Sequence, residues 1–205
     1  MRRPEELRLI LASGSPRRDE LLNTAGLAHE VVVSGADEHV PEQDPCRLVE
    51  KLSARKAGDV CGRIAADEDY AVIGADTVVA LDGVILGKPA DEKDAERMLR
   101  MLSGRCHHVC TGVTLHGKIG QEERVRTFSE VSSVHVAPLS DEEIRSYIAT
   151  GEPMDKAGAY GIQGAFCRYV TRIEGDYFNI VGLPVSRVYR ELKAFCFPGG
   201  MKNQN

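Results

Sequence analysis

The sequence has no long hydrophobic run, no basic excess and no paired-cysteine motif, and each absence removes a class of function. No window approaches the length that spans a bilayer, and the first apolar run, Leu9 to Ala12, is too short for a signal-peptide core. The 26 basic side chains stand against 31 acidic ones, for a formal charge of −5, whereas a general nucleic-acid binder shows the opposite balance. Cysteines occur at Cys46, Cys61, Cys106, Cys110, Cys167 and Cys196, without a CxxC pair or a dense disulfide framework, which fits a reducing compartment. Repeats, low-complexity blocks and long linkers are also missing. The expectation is a soluble, cytoplasmic protein with neither a membrane nor a nucleic acid as partner.

What is present is 42% apolar and 28% charged residues over 205 positions. That suffices to bury a core in one compact domain, or in two small lobes sharing a cleft. One domain over residues 1–205 is expected, structured over about 7–196, with a disordered tail at 198–205. Strand and helix signals alternate, which implies an α/β protein with at least part of its sheet parallel.

Leu7 to Ala12 reads as a first strand. Ser15 then caps a helix that opens at Pro16, turns Leu21, Leu22 and Ala25 inward and stops at Gly26. His29 to Ser34 is a second strand, and Asp44-Pro45 opens a helix with Leu48, Val49, Leu52 and Lys56 at helical spacing. Tyr70 to Ala75 is a short strand, followed by a Val78–Leu81 and Val84–Leu86 hairpin around Asp82-Gly83. Asp91 to Leu102 is an amphipathic helix with Ala95, Met98, Leu99 and Leu102 inward. His108 to Leu115 and Arg126 to Val136 are long adjacent strands, and Ser140 to Glu143 is a capping box for a helix to Ile148. Cys167 to Ile173 and Phe178 to Val181 carry strand signals, and a final helix runs from Pro184 to Phe195.

Four places can carry chemistry. The loop Ser13-Gly14-Ser15-Pro16-Arg17-Arg18 joins a strand to a helix start, where free N–H groups, hydroxyls and guanidinium forks suit phosphate oxygens. It reads equally as a plain helix cap followed by two solvated arginines. Gly74-Ala75-Asp76-Thr77 puts an acid at a strand's carboxyl edge, where it can hold a hard cation or take a proton from water. Glu38 occupies a similar edge if the second strand is parallel, or is an ordinary loop acid.

Lys56, on an apolar stripe, and Lys88, at the hairpin's end, complete a set that looks like a polyphosphate site with a metal. The glycine-dense Asp155 to Gly164 looks moulded around a ligand. Its Gln163 amide can read a nucleobase edge, or it is an exposed side chain on a structural turn. The cluster from Cys106 to Cys110, with His107 and His108, tempts a zinc reading. No second Cys/His knot accompanies it, so small buried thiols on a strand are expected.

Taken in order, these motifs resemble the Maf family of nucleoside triphosphate pyrophosphatases. The resemblance spans about Leu7 to Leu192 and includes Gly87-Lys88-Pro89, Leu102-Ser103-Gly104, Gly151-Glu152-Pro153 and Val181-Gly182-Leu183-Pro184. It implies an elongated α/β fold with a twisted mixed sheet flanked by helices, two lobes around a nucleotide cleft, and often a homodimer. It makes Asp76 the proton acceptor and, with Glu38, a ligand of Mg²⁺ or Mn²⁺. Arg17, Lys56 and Lys88 would bind the triphosphate and Ser13 and Ser15 line its cradle, and Arg18 is expected to converge on the same triphosphate. Arg17, Thr77 and Gln163 are tied to substrate choice, and the string ending in Gln163-Gly164 is similar to the branch acting on dTTP and UTP. Ala165-Phe166 departs from a more glycine-rich pair, and Cys110 from a larger residue. The alternatives are a pyrophosphatase for 7-methyl-GTP or another modified nucleotide, and a nucleotide-sensing regulator of cell division without turnover.

Overall fold

A computed structural model describes residues 3–65 and 68–197; the expected tail at 198–205 lies outside them. In chain order the main elements are β1 (Arg8–Leu11), α1 (Pro16–Thr24), β2 (His29–Val31), α2 (Pro45–Cys61), β3 (Tyr70–Leu81), β4 (Val84–Leu86) and α3 (Glu92–Leu102). Next come β5 (Cys106–Ile119), β6 (Glu122–Val136), α4 (Asp141–Ile148), β7 (Val170–Glu174), α5 (Tyr177–Val181) and α6 (Val185–Cys196). The seven strands form one mixed sheet in the order β2-β1-β3-β5-β6-β7, with β4 also on β3. The first three path strands are parallel and the rest antiparallel. The α/β class and the mixed sheet are as the sequence implied. Among the described residues no helix is long and apolar enough to cross a membrane.

The element that positions the site is β3. The sequence breaks it at Asp76-Thr77 into a strand and a hairpin arm, whereas the chain runs through as one 12-residue strand. The reason lies in its neighbour: β5 bonds it from Tyr70 to Ala80, so both polar residues sit in a continuous ladder. On its other edge β1 covers Tyr70 to Ile73 and β4 covers Val79 to Leu81. The stretch from Gly74 to Val78 therefore has no strand on that side. Asp76 is not at the end of its own strand; it lies beside the end of β1.

Two glycines let α2 lie directly on the sheet. A Cβ at Gly74 would collide with the Ser53 carbonyl and stand 2.8 Å from the Ala57 nitrogen. A Cβ at Gly112, on β5, would meet the Val49 carbonyl and stand 2.7 Å from the Glu50 nitrogen. Side chains there would hold the helix off. Asp44 caps α2 by accepting from the Arg47 N–H at 2.9 Å, and Val49, Leu52, Ala57 and Val60 are buried.

Several local expectations change. Ser15 is at the N-cap of α1, yet its side chain makes no cap bond, and Ala25 is exposed after the helix ends at Thr24. β2 stops at Val31, three residues short of the expected end. Residues 165–169 form a 3₁₀ helix before β7 begins. Phe178 to Val181 is helical because Asp176 caps the Phe178 N–H at 2.8 Å and the Asn179 amide donates to the Val109 carbonyl at 3.0 Å, which ties the turn to β5. Of the two thiols read as buried, Cys110 is covered by α2 while Cys106 is exposed beyond its start.

Candidate active site

Strand alternation splits the open edge of β3 into two chemistries. Gly74, Asp76 and Val78 face α2, whereas Ala75, Thr77 and Val79 face the other way, Thr77 toward Arg18 and Gly182 and Val79 toward the glycine-rich segment. On the α2 side the Lys56 ammonium donates to Asp76 Oδ1 at 2.6 Å and meets Glu38 Oε1 at 2.8 Å. The side chains of Lys56 and Asp76 are only 13% and 16% exposed, but that of Glu38 is 67% exposed. Glu38 is thus the solvent-side arm of the cluster and not an isolated loop acid. Its loop is held by Arg55, which donates to the carbonyls of Asp37 and His39 at 3.1 and 2.9 Å. The hydrogen bond from Lys56, aided by the positive field of Lys88 and Arg18, keeps the Glu38 carboxyl below its usual range against partial burial.

The two arginines of the first loop part company. Arg17 stays at the cleft rim, with its guanidinium 3.5 Å from Asp155. Arg18 is buried, and each of its three guanidinium nitrogens donates: Nε to the Gly182 carbonyl at 2.8 Å, Nη1 to Ser13 Oγ at 3.1 Å and Nη2 to Thr77 Oγ1 at 3.0 Å. Burial pulls its pKa down from the ordinary arginine value. It is neither a solvated arginine nor a free phosphate fork: its contacts join the serine loop, β3 and the turn after α5. Ser13 is correspondingly occupied, also accepting from the Ser15 N–H at 3.2 Å. Ser15 remains on the cleft wall.

On the opposite face the segment from Gly151 to Gly164 packs onto Val79. Gly158 has a positive φ of 69°, and a Cβ there would stand 2.8 Å from the Val79 side chain. Its N–H donates to the Gly87 carbonyl at 3.0 Å, which brings the hairpin end carrying Lys88 to the same cleft. Tyr160 and His107 are both buried, joined between Oη and Nε2 at 2.8 Å. Burial lowers the His107 pKa to about 4, so its imidazole is neutral at physiological pH. Gln163 is exposed on a turn closed by the Gly164 N–H donating to the Gly161 carbonyl at 3.1 Å.

The resulting cleft encloses about 900 Å³, a volume suited to a nucleotide-sized ligand. Ser13, Ser15, Arg17, Arg18, Glu38, Lys56, Asp76, Thr77, Lys88 and Gln163 all line it. Segments far apart in sequence thus meet in one place. Tyr160, Glu152, Asp155 and Gly182 also line it. Their motifs stand out in the sequence but their place in the cleft does not, because it depends on which strand face each motif packs against.

Similarity to known proteins agrees with this geometry. The family model for Maf-like protein matches residues 8–195. A dTTP/UTP pyrophosphatase of Koribacter versatilis is 54% identical over 186 residues, covering 90% of this chain and 93% of the relative. Proteins of the same description from Geobacillus sp. and Lachnoclostridium phytofermentans are 53% and 49% identical, each covering at least 90% of this chain and 94% or more of the relative. With that match across nearly its whole length, and the motifs of the match assembled around one cleft, the chain belongs to the Maf family.

Proposed function

We propose that this chain hydrolyses dTTP and UTP to the nucleoside monophosphate and pyrophosphate. The observation that carries the reading is the Asp76–Lys56–Glu38 cluster at the uncovered stretch of β3, facing a cleft rimmed by Arg17 and Lys88. Water attacks the α-phosphorus as its proton passes to Asp76. The new O–P bond forms as the bond to the bridging oxygen breaks, and pyrophosphate leaves with that electron pair. Lys56, Arg17 and Lys88 offset charge on the phosphate oxygens. Arg18 supports the cradle through Ser13 and Thr77.

A divalent cation, Mg²⁺ or Mn²⁺, fits the donor set. Glu38 and Asp76 supply hard oxygens that reach one cationic point, now the Lys56 ammonium. Among the described residues no three His, Cys, Asp or Glu side chains gather to hold a metal. Two carboxylates with phosphate and water oxygens are the ligand set Mg²⁺ commonly takes. Bound there, the cation would neutralise charge developing on the phosphates. Gln163 supports the base preference, since its amide offers one acceptor and donors to the alternating groups of a uracil or thymine edge. All six cysteines are free thiols, Cys106 and Cys167 on the surface, which supports a cytoplasmic setting. A single domain and a homodimer, as the resemblance implies, complete the proposal.

The test is pyrophosphate release from a panel of normal and modified triphosphates with Mg²⁺ or Mn²⁺. UTP and dTTP are expected to lead. A lead by 7-methyl-GTP would move the chain to another substrate branch, and binding without turnover would make it a sensor.

A further inference from the structure

The turn that carries Gln163 is pinned at both ends by a pair of side chains from outside it. At its start the Gly161 N–H donates to the hydroxyl of Tyr147, on α4, at 3.1 Å. Beyond its end the Ala165 N–H donates to Glu152 Oε2 at 3.0 Å. The pins are linked, because the Tyr147 hydroxyl donates to Glu152 Oε1 at 2.8 Å. Tyr147 is 1% exposed and packs its ring on Phe166, with centroids 5.1 Å apart, so its hydroxyl has a fixed position. Glu152 is fixed in turn: Lys156 donates to its carbonyl at 2.9 Å, and its carboxylate fills the space that a Cβ at Gly164 would need.

We propose that Tyr147 and Glu152 are positioning residues for base selection. They act through the Gly161 to Ala165 backbone to set where the Gln163 amide meets the base. The inference rests on Gln163 reading the base, as proposed above. A planar amide selects between nucleobases only while its donor and acceptor are held in register with theirs, so loosening the turn spreads that register. Tyr147 itself is outside the cleft wall and approaches neither Asp76 nor Lys56, so its hydroxyl affects selection and leaves the phosphate chemistry intact.

The experiment compares UTP with ribose 5-triphosphate, which has the same reacting group and no base, in the wild type, Tyr147→Phe and Glu152→Gln. Tyr147→Phe keeps the ring packing and removes the hydroxyl. It is expected to lower kcat/KM for UTP about five- to tenfold, the scale of a lost hydrogen bond or two, mainly through KM. Turnover of ribose 5-triphosphate should stay at the wild-type level. Glu152→Gln keeps a single acceptor oxygen and should fall between the two. Amide exchange at Gly161 and Ala165 should quicken in both variants. Parallel losses on both substrates would mark a merely structural role and overturn the proposal, as would undiminished preference for UTP in the variants. A wild type that treats the two substrates alike would overturn the reading of Gln163 and this inference with it.

Discussion

The two faces of β3 hold their functional groups by different means. On the α2 side, Asp76 and Lys56 project from a 12-residue strand and a 17-residue helix, pressed together through Gly74 and Gly112. On the other side, Gln163 rides on a short turn whose position depends on a few hydrogen bonds, to Tyr147 and Glu152, and on the packing of Tyr160 against Phe166. Charge neutralisation needs groups that do not yield when a polyanion arrives, and regular elements supply that stiffness. Base choice needs finer adjustment, and loops on a rigid scaffold are where such differences accumulate. On the function proposed above, reaction and preference would thus be separated by a single strand's alternation.

The largest break in this comparison should come from Asp76→Asn. It is isosteric and keeps an oxygen for Lys56, so the melting temperature should change little while pyrophosphate release falls about a thousandfold. Release near the wild-type rate would remove Asp76 from the proton transfer. Next is Gly74→Ala, which attacks the scaffold of the same face. The added Cβ meets backbone, so α2 must shift; destabilisation of about 1–3 kcal/mol is expected in urea unfolding, with reduced turnover. An unchanged midpoint would show that the close approach is not needed.

The opposite face has its own stability probe. His107 is depressed from 6.5 to about 4 in the fold. Between those values the unfolded chain takes up a proton that the folded chain refuses. Stability is therefore full above pH 6.5, falls as the pH drops, and levels off below about 4, a loss on the order of 3 kcal/mol. His107→Gln retains a polar partner for Tyr160 without titrating, so its denaturation midpoints across this window should lack that part of the slope. Identical slopes would refute the assignment. The smallest effect is expected from Gln163→Glu, which should reorder nucleotides by about tenfold with kcat for the best substrate nearly kept. An unchanged ranking would take the base away from this residue.

Much of the site was legible because its residues contradict their surroundings. Lys56 sits on an apolar helical stripe, Asp76 interrupts an apolar strand, and serines and arginines crowd a strand-to-helix loop. Capping signals were equally plain at Asp44 and the Ser140–Glu143 box, which cap their helices, whereas Ser15 makes no cap bond and Asp91, read as the first helical residue, is itself a cap. The misread elements were those decided by contacts distant in sequence. β3 continues through Asp76-Thr77 because β5 pairs along it, and Phe178 to Val181 coils because Asn179 bonds to β5. By local rules Arg17 and Arg18 are equivalent, and the Gly182 carbonyl and Thr77, 164 and 59 positions away, join Ser13 in holding one of them inside.

The sequence by itself determined the alternating α/β order, the starts of the longer helices, the family and the set of polar side chains that line the cleft. These follow from local rules, periodicity, capping and motif spacing, which act within a few turns of chain. Tertiary structure alone decided that β1 and β4 leave one stretch of β3 open, that Asp76 and Thr77 face opposite ways into the same cleft, and that Arg18 supports while Arg17 remains at the rim. Those outcomes depend on which strand lies beside which and on how closely a helix can approach a glycine, and neither quantity is local to any segment of the chain.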